Sequence, residues 1–273
     1  MKIDMHCHVK EGSPDSKVSL DEYITILKAN GFEGMLITDH DTYKGYRYWK
    51  NKMKGKSHED FVVLKGIEYD TCDAGHIIVI MPEGVKMRLL ELKGLPVSVL
   101  IDFVHRHGGV LGPAHPCGEK YMSIANTKKF YQSPEIMKRF DFIEAYNCCE
   151  SVASNTGAAR LAAKYKKVTT GGSDSHKTGC VGRAYTILPE PVTCETELIS
   201  MIHKKVPFEV GGVQYEKTTK DRIGKVNKVL VYSFWLYNKG GELIKRRGRK
   251  VKMEEEHPID PIDPIELYYT GKS

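Results

Sequence analysis

One grammar recurs along the first 176 residues: a short apolar run that ends in histidine, aspartate or glutamate, followed by a polar or helical stretch. The opening MKIDMHCH places His6 and His8 at the end of such a run, and GMLITDH ends at Asp39 and His40. FVVLKGIEY carries Glu68, GVLGPAHP reaches His115, FDFIEAYN holds Glu144 and Asn147, and VTTGGSDSH closes on Asp174 and His176. Helical signals lie between these strands. In SLDEYITILKANG, Ser19 and Glu22 form a capping box, Leu20, Ile24 and Leu27 make an apolar face, and Gly31 stops the helix. VSVLIDFVHRHGG, SNTGAARLAAKYKK and the stretch from Cys194 to Lys204 read as helices too, and Ser133-Pro134 opens a shorter one. Strands alternating with helices imply right-handed crossovers and a mostly parallel sheet. Six or seven units in about 210 residues suffice for an α/β barrel of the (β/α) type.

Beyond Gly212 the pattern changes. KVLVYSFWLYNKGGELIKRRGRKVKM suggests two long strands around a Gly-Gly turn, and the PIDPIDPIE repeat excludes helix or central strand. The expected division is therefore a barrel over residues 1–212 and a C-terminal extension, a β-hairpin plus a Pro-rich tail, over 213–273. That extension holds 13 Lys and Arg against 9 Asp and Glu, a surplus of four out of the net +6, so the barrel itself is close to balanced. The basic stretch Lys245–Lys252 is followed at once by Glu254–Glu256, so nucleic acid is possible but not favoured as a partner. Phe234 and Trp235 are expected to pack on the barrel. No apolar run approaches a membrane span, and Asp4 and His6 interrupt any signal-peptide pattern. Seven cysteines without framework spacing fit a reducing, cytoplasmic setting.

In a parallel barrel the C-terminal strand ends converge on one face, where side chains far apart in sequence become neighbours. Core histidines would be scattered among strand interiors and helix faces; these sit at strand ends. Imidazole mixed with carboxylate suits Zn²⁺, Mn²⁺ or Fe²⁺. The set exceeds what one tetrahedral ion needs, so two or three divalent ions with a bridging carboxylate fit better.

The motifs DMHCH, ITDHDT, GIEYD, GHIIVI, AHP, FIEAYN and GGSDSH, in that order, resemble those of the PHP (polymerase and histidinol phosphatase) family. The likeness runs from residue 3 to about 190 and includes GRAYTILPE. It implies a distorted (β/α)7 TIM-like barrel with a trinuclear metal site and hydrolysis of phosphate esters. Carried over by position, it implies a first ion on His6, His8, Glu68 and Asp174. A second would sit on His40, His176 and a first-loop residue, for which Asp15 fits best and Glu11 lies within reach. A third would be shared by Glu68 with His76 and His115; His76 begins its strand rather than ending it, so its place rests on the resemblance.

The implied activity is hydrolysis of a phosphomonoester, a nucleotide or small-metabolite phosphate, by a metal-activated hydroxide. Asp174 and His176 are candidates for proton handling, and Arg183 for holding the substrate phosphate through its planar fork. A 5′–3′ exonuclease or oligoribonuclease of the same fold, and a non-catalytic metal- or nucleotide-binding module, are the alternatives. Asp39 is read as orienting His40 from behind, and Glu144 and Asn147 as cavity wall or strand cap. Cys7 is read as core filler. His58, His105, His107, His203 and His257 are read as lying outside the site.

Overall fold

The computed structural model describes residues 1–85, 88–118 and 122–215. The expected hairpin and Pro-rich tail, with Phe234, Trp235, the Lys245–Lys252 stretch and His257, lie outside the described residues. Three residues beyond Gly212 are tied to the body: Val213 N donates to Arg183 O (2.7 Å), Gln214 Nε2 to Glu150 O (3.0 Å) and Tyr215 N to Cys148 O (2.7 Å).

Among the described residues, nine strands and six α-helices follow one another in an α/β order. Strands β1 (Lys2–Cys7), β2 (Gly34–Ile37) and β3 (Val62–Asp70) are joined through helices α1 (Leu20–Ala29) and α2 (Lys44–Tyr48). Then come β4 (His76–Ile80), α3 (Val97–Arg106), β5 (Val110–Pro113), α4 (Lys128–Gln132) and β6 (Phe142–Asn147). The last elements are α5 (Val152–Tyr165), β7 (Val168–Gly172), β8 (Ala184–Ile187), α6 (Glu195–His203) and β9 (Glu209–Gly212). The Ser133-Pro134 pair opens a 3₁₀ turn, Pro134–Arg139, rather than an α-helix. Ser19 caps α1 by accepting from Glu22 N, and Ser151 caps α5 by accepting from Ser154 N.

The sheet is mixed, which corrects the expectation of a mostly parallel one. Seven strands run in the order β5-β4-β3-β2-β1-β8-β9, and β6 pairs with β7 in a separate parallel sheet. β1, β2 and β3 are parallel neighbours, whereas β4 is antiparallel to both β3 and β5. The cause is the connection between β3 and β4, which runs from Thr71 to Gly75 and closes with Thr71 N donating to Gly75 O (3.1 Å). Five residues make a hairpin; a parallel crossover takes a dozen or more. Reversal of β4 puts His76 opposite Asp70 in the register. The start of β4 therefore stands at the same rim as the end of β3, and His76 obeys the rim rule it looked to break.

The seven-stranded sheet is curled, and the β6–β7 sheet stands in its opening. Among the described residues, few backbone hydrogen bonds cross the two seams. At one, Asp141 N donates to Leu111 O (2.9 Å). At the other, Asp174 N donates to His6 O (2.8 Å) and Cys7 bridges Ser175. Glycine makes both close approaches possible. A Cβ on Gly112 would meet Phe142 O at 2.4 Å, and one on Gly172 would meet His6 Cβ at 2.3 Å. Inside the curl, Ile3, Met5, Leu36, Leu64, Ile78, Phe142 and Val168 pack with Leu198, Ile199 and Ile202 of α6. Outside it, α1 covers Met35, Ile37 and Val63, while α3 covers Ile67, Tyr69, Ile77 and Val79.

Because the β7–β1 seam has no room for a methyl group, Gly172→Ala is expected to destabilise the fold by about 1–3 kcal/mol, the usual cost of overpacking. Equilibrium denaturation measures this; unchanged stability would mean that the seam yields freely.

Candidate metal centre

β1 is not a regular strand, and its irregularity sets up the site. In strict alternation Ile3, Met5 and Cys7 would share a face. Ile3 and Met5 pack inside the curl, but Cys7 packs on the outer side with Met35 and Ile37. The register with β2 shifts between Asp4 and Cys7, as a bulge does. The outcome separates Asp4 from His6. The Asp4 carboxylate faces Ser173 Oγ (2.6 Å) and Tyr23 Oη of α1 (3.3 Å), whereas the His6 ring enters the rim. Burial pushes the Asp4 carboxyl up to about 6, against the hydrogen bonds from Ser173.

At the rim, Glu68 is the hub. Its Oε1 lies 2.9 Å from His76 Nδ1, 3.1 Å from His115 Nε2 and 3.4 Å from His6 Nε2. Its Oε2 lies 2.9 Å from His40 Nδ1 and 3.3 Å from His8 Nε2. Asp174 Oδ1 stands 3.2 Å from His8 Nε2 and 3.6 Å from His6 Nε2. Asp15 Oδ2 lies 3.2 Å from His176 Nε2 and 3.4 Å from His40 Nε2. The structure thus brings together all nine residues singled out as metal ligands. It also separates the two first-loop candidates. Glu11 Oε2 accepts from Leu20 N (3.0 Å) at the start of α1, while Asp15 turns into the rim.

These contacts fit cations better than hydrogen bonds alone. His6 Nε2 and His8 Nε2 lie 3.1 Å apart, nitrogen facing nitrogen. Glu68 Oε2 and Asp15 Oδ1 are buried without a hydrogen bond of acceptable geometry, even though imidazole nitrogens stand close to Glu68 Oε2. Donors held 2.0–2.2 Å from a shared ion stand roughly 3 Å apart, the spacing seen here. Three groups of described residues have donor atoms close enough to share an ion: His6, His8 and Glu68; His8, His40 and His176; and His40, Glu68 and His76.

Electrostatics agree. Burial alone would raise the Glu68 carboxyl, but the charges of His76, His6 and His40 hold it well below the usual carboxylate range. Burial likewise opposes ionisation of Asp174, yet the charge of His6 and a hydrogen bond with His8 win. Burial would push His115 down, but Glu68 raises it to about 9. His8 is the exception, driven down by burial and by the charges of His176 and His40.

A supporting layer fixes the rings. Glu144 is buried; its Oε1 takes the His6 Nδ1 contact (2.9 Å), and its Oε2 accepts from His115 N (2.6 Å) and Asn147 Nδ2 (3.2 Å). Asn147 Nδ2 also reaches Asp174 Oδ2 (3.2 Å). Both residues therefore do more than line a wall or cap a strand. No hydrogen bond joins Asp39 to the His40 ring. It accepts from Ser13 Oγ (2.9 Å), and Ser13 Oγ meets His8 Nδ1 (3.3 Å) and the His40 amide (3.3 Å). Ser123 Oγ plays the same part for His115 Nδ1 (3.2 Å). Ser13 and Ser123 carry no sequence signal, since serine is common in loops. Asp174 and His115 hold left-handed backbone (φ 48° and 31°), strain concentrated where the donors converge.

Arg183 stands apart. Its Nε donates to Gly179 O (2.6 Å), and its guanidinium lies 5.3 Å from the Tyr215 ring centroid, opposite no donor of the cluster. His58 pairs with Asp21, His105 with Asp141, and His107 with Phe103 O, all outside the cluster. His203 is exposed on α6.

A PHP-associated family model matches residues 153–207, the stretch that contains Asp174 and His176. No curated protein matches the sequence. Among solved structures, PsfC from Pseudomonas syringae shares the fold with a TM-score of 0.53 at 15% identity, over 88% of this chain and 98% of that one. A protein from Bifidobacterium adolescentis assigned as a metal-dependent phosphoesterase gives 0.51 at 15% identity, over 74% and 96%. Endonuclease Q, bound to a 27-mer duplex with an abasic lesion, gives 0.58 at 16% identity, over 78% of this chain and 60% of its own. At such identities the likeness is one of fold. The PHP-associated match and the shared fold together bear out the resemblance to the PHP family that the motifs carry.

Proposed function

We propose that the chain is a metal-dependent phosphatase that hydrolyses phosphomonoesters at a centre of two or three divalent ions, which Glu68 would help to hold. The observation that carries this reading is one buried carboxylate within 3.4 Å of five imidazoles. His6, His8, Glu68 and Asp174 would hold one ion. Asp15, His40 and His176 would hold another, and Glu68, His76 and His115 a third. The imidazole-rich donors favour zinc, manganese or iron. When bound, such ions polarise a phosphoryl oxygen and make a water acidic enough to attack at neutral pH.

The chain's own residues prepare that site. Glu144 receives the Nδ1 side of His6 and so turns Nε2 toward Glu68; Ser13 does the same for His8. His176 has both nitrogens engaged, Nδ1 with Asp174 O (3.1 Å) and Nε2 with Asp15, which favours a ligand role over proton transfer. Asp174 Oδ2 is held by Asn147, and Oδ1 faces His6 and His8. Arg183 and Lys177 flank the Tyr215 ring on the connection after β7, and in our reading Arg183 steadies the substrate phosphate from there. We read the catalytic unit as residues 1–212, a distorted seven-stranded barrel with 213–273 as an extension. The free cysteines are consistent with a reducing cytoplasm.

Glu68→Gln should abolish turnover of p-nitrophenyl phosphate and lower bound metal, with the far-UV spectrum unchanged; a variant that keeps metal and activity would sink the proposal. Glu144→Gln is expected to weaken metal affinity by about 10–100-fold, the usual effect of losing a partner behind a histidine ligand; metal titration measures it. Arg183→Ala should raise KM for the monoester while kcat changes little, the pattern of lost ground-state binding. Faster cleavage of bis(p-nitrophenyl) phosphate or a labelled oligonucleotide than of the monoester would favour a nuclease instead. Tight nucleotide binding without turnover in the metal-loaded protein would favour a binding module.

A further inference from the structure

We infer that a second ligand site, for a small multiply charged anion bearing phosphate groups, lies at the end of β6 and β7 opposite the metal centre. A cavity of about 300 Å³ opens there, walled by Arg139, Asp141, Lys167, Ile202 and Lys205. A smaller hollow of about 160 Å³ adjoins it, sharing Lys167 and Lys205 and adding Lys166. The six residues of β6 put roughly 20 Å between this cavity and the rim donors, so no small ligand spans both. The larger volume is at the lower end of what holds a small organic ligand.

Charge defines the ligand. Lys138, Arg139, Lys167 and Lys205 line the cavity with His105 and His203, against one carboxylate, Asp141. One oxygen of that carboxylate, Oδ2, meets His105 Nε2 (2.9 Å) and accepts from the Leu111 amide (2.9 Å). Lys167 is half-buried and gives two of its three ammonium protons to Lys138 O (2.7 Å) and Phe140 O (2.5 Å). Arg139 and Lys138 pair only with exposed partners, Asp102 and Glu135, and such pairs are weak enough for an anion to displace. Among the described residues, the Lys166 and Lys205 ammonium groups make no hydrogen bond or ion pair. Burial and the charge of Lys205 hold the Lys167 ammonium below its ordinary value, a penalty that a bound anion would relieve.

Cations also gather at helix C-termini to complement the helix dipole, and three helices end here. Backbone conformation separates the two explanations. Lys166 and Lys205 both adopt left-handed backbone (φ 52° and 54°), the conformation in which a helix end ordinarily carries glycine. A lysine in the preceding turn serves the dipole without that strain, and Lys164 and Lys204 are already there. Two lysines held where glycine fits better point to a use for their charges.

The test is calorimetric titration of the full-length chain, carrying the metal with which it is purified and with no free divalent ion added, with inorganic diphosphate. Lys205→Gly and Lys166→Gly remove charge while easing the backbone, so each should keep or raise the Tm. Each should also weaken diphosphate binding by about tenfold, the worth of one charged hydrogen bond. His40→Ala, in the metal centre, should leave that binding unchanged. The inference is overturned if millimolar diphosphate does not bind, if neither glycine variant weakens binding, or if His40→Ala removes it, which would put the anion among the rim histidines.

Discussion

A carboxylate buried among five imidazoles is the constraint around which this fold is arranged. An ionised Glu68 without compensation would be too costly to bury, so the surrounding chain supplies positive or positively polarised groups from four other strands or the residues just past them, β1, β2, β4 and β5. Each of those groups needs its own restraint. Glu144 and Ser13 turn two rings, Ser123 a third, and Asn147 ties the Glu144 carboxylate to that of Asp174. Asp39 then holds Ser13, in a space kept clear by glycine: a Cβ on Gly12 would sit 1.7 Å from Asp39 Oδ2. Asp39 is itself fully buried, and that burial raises its carboxyl to about 7.

Much of this was legible in the order of residues, because a strand that ends in a buried polar group leaves a visible edge in the sequence. The rim donors of β1, β2, β3, β5 and the loop after β7 were read that way. His76 was not, since direction cannot be seen in a run such as HIIVI; only the five-residue connection before it reveals the hairpin. Alternation alone does not describe β1: it would put Asp4 on one face with His6, but the bulge sends Asp4 outward to α1 and His6 inward. The choice between Glu11 and Asp15 turned on a helix cap, which spacing alone does not disclose.

The supporting layer was less visible still. Glu144 looks like any acid in the strand FIEAYN, and two of its three partners come from β1 and the end of β5. Serines 13 and 123 matter only through a hydroxyl that happens to meet a ring nitrogen. Such second partners are selected by three-dimensional proximity, and no local pattern records it. The mixed sheet has the same origin, since strand direction depends on loop length and on which neighbour is free to pair.

The donors are also divided between two sheets. His6, His8, His40, Glu68, His76 and His115 belong to the curled sheet and the loops that follow its strands, whereas Asp174 and His176 follow β7 of the smaller one. Few backbone hydrogen bonds join those two bodies, so a cation gripped from both sides would act as a rivet across the gap. Loading the centre and holding the two sheets together would then be one equilibrium, and a metal bound there would decide how firmly the architecture itself is fastened.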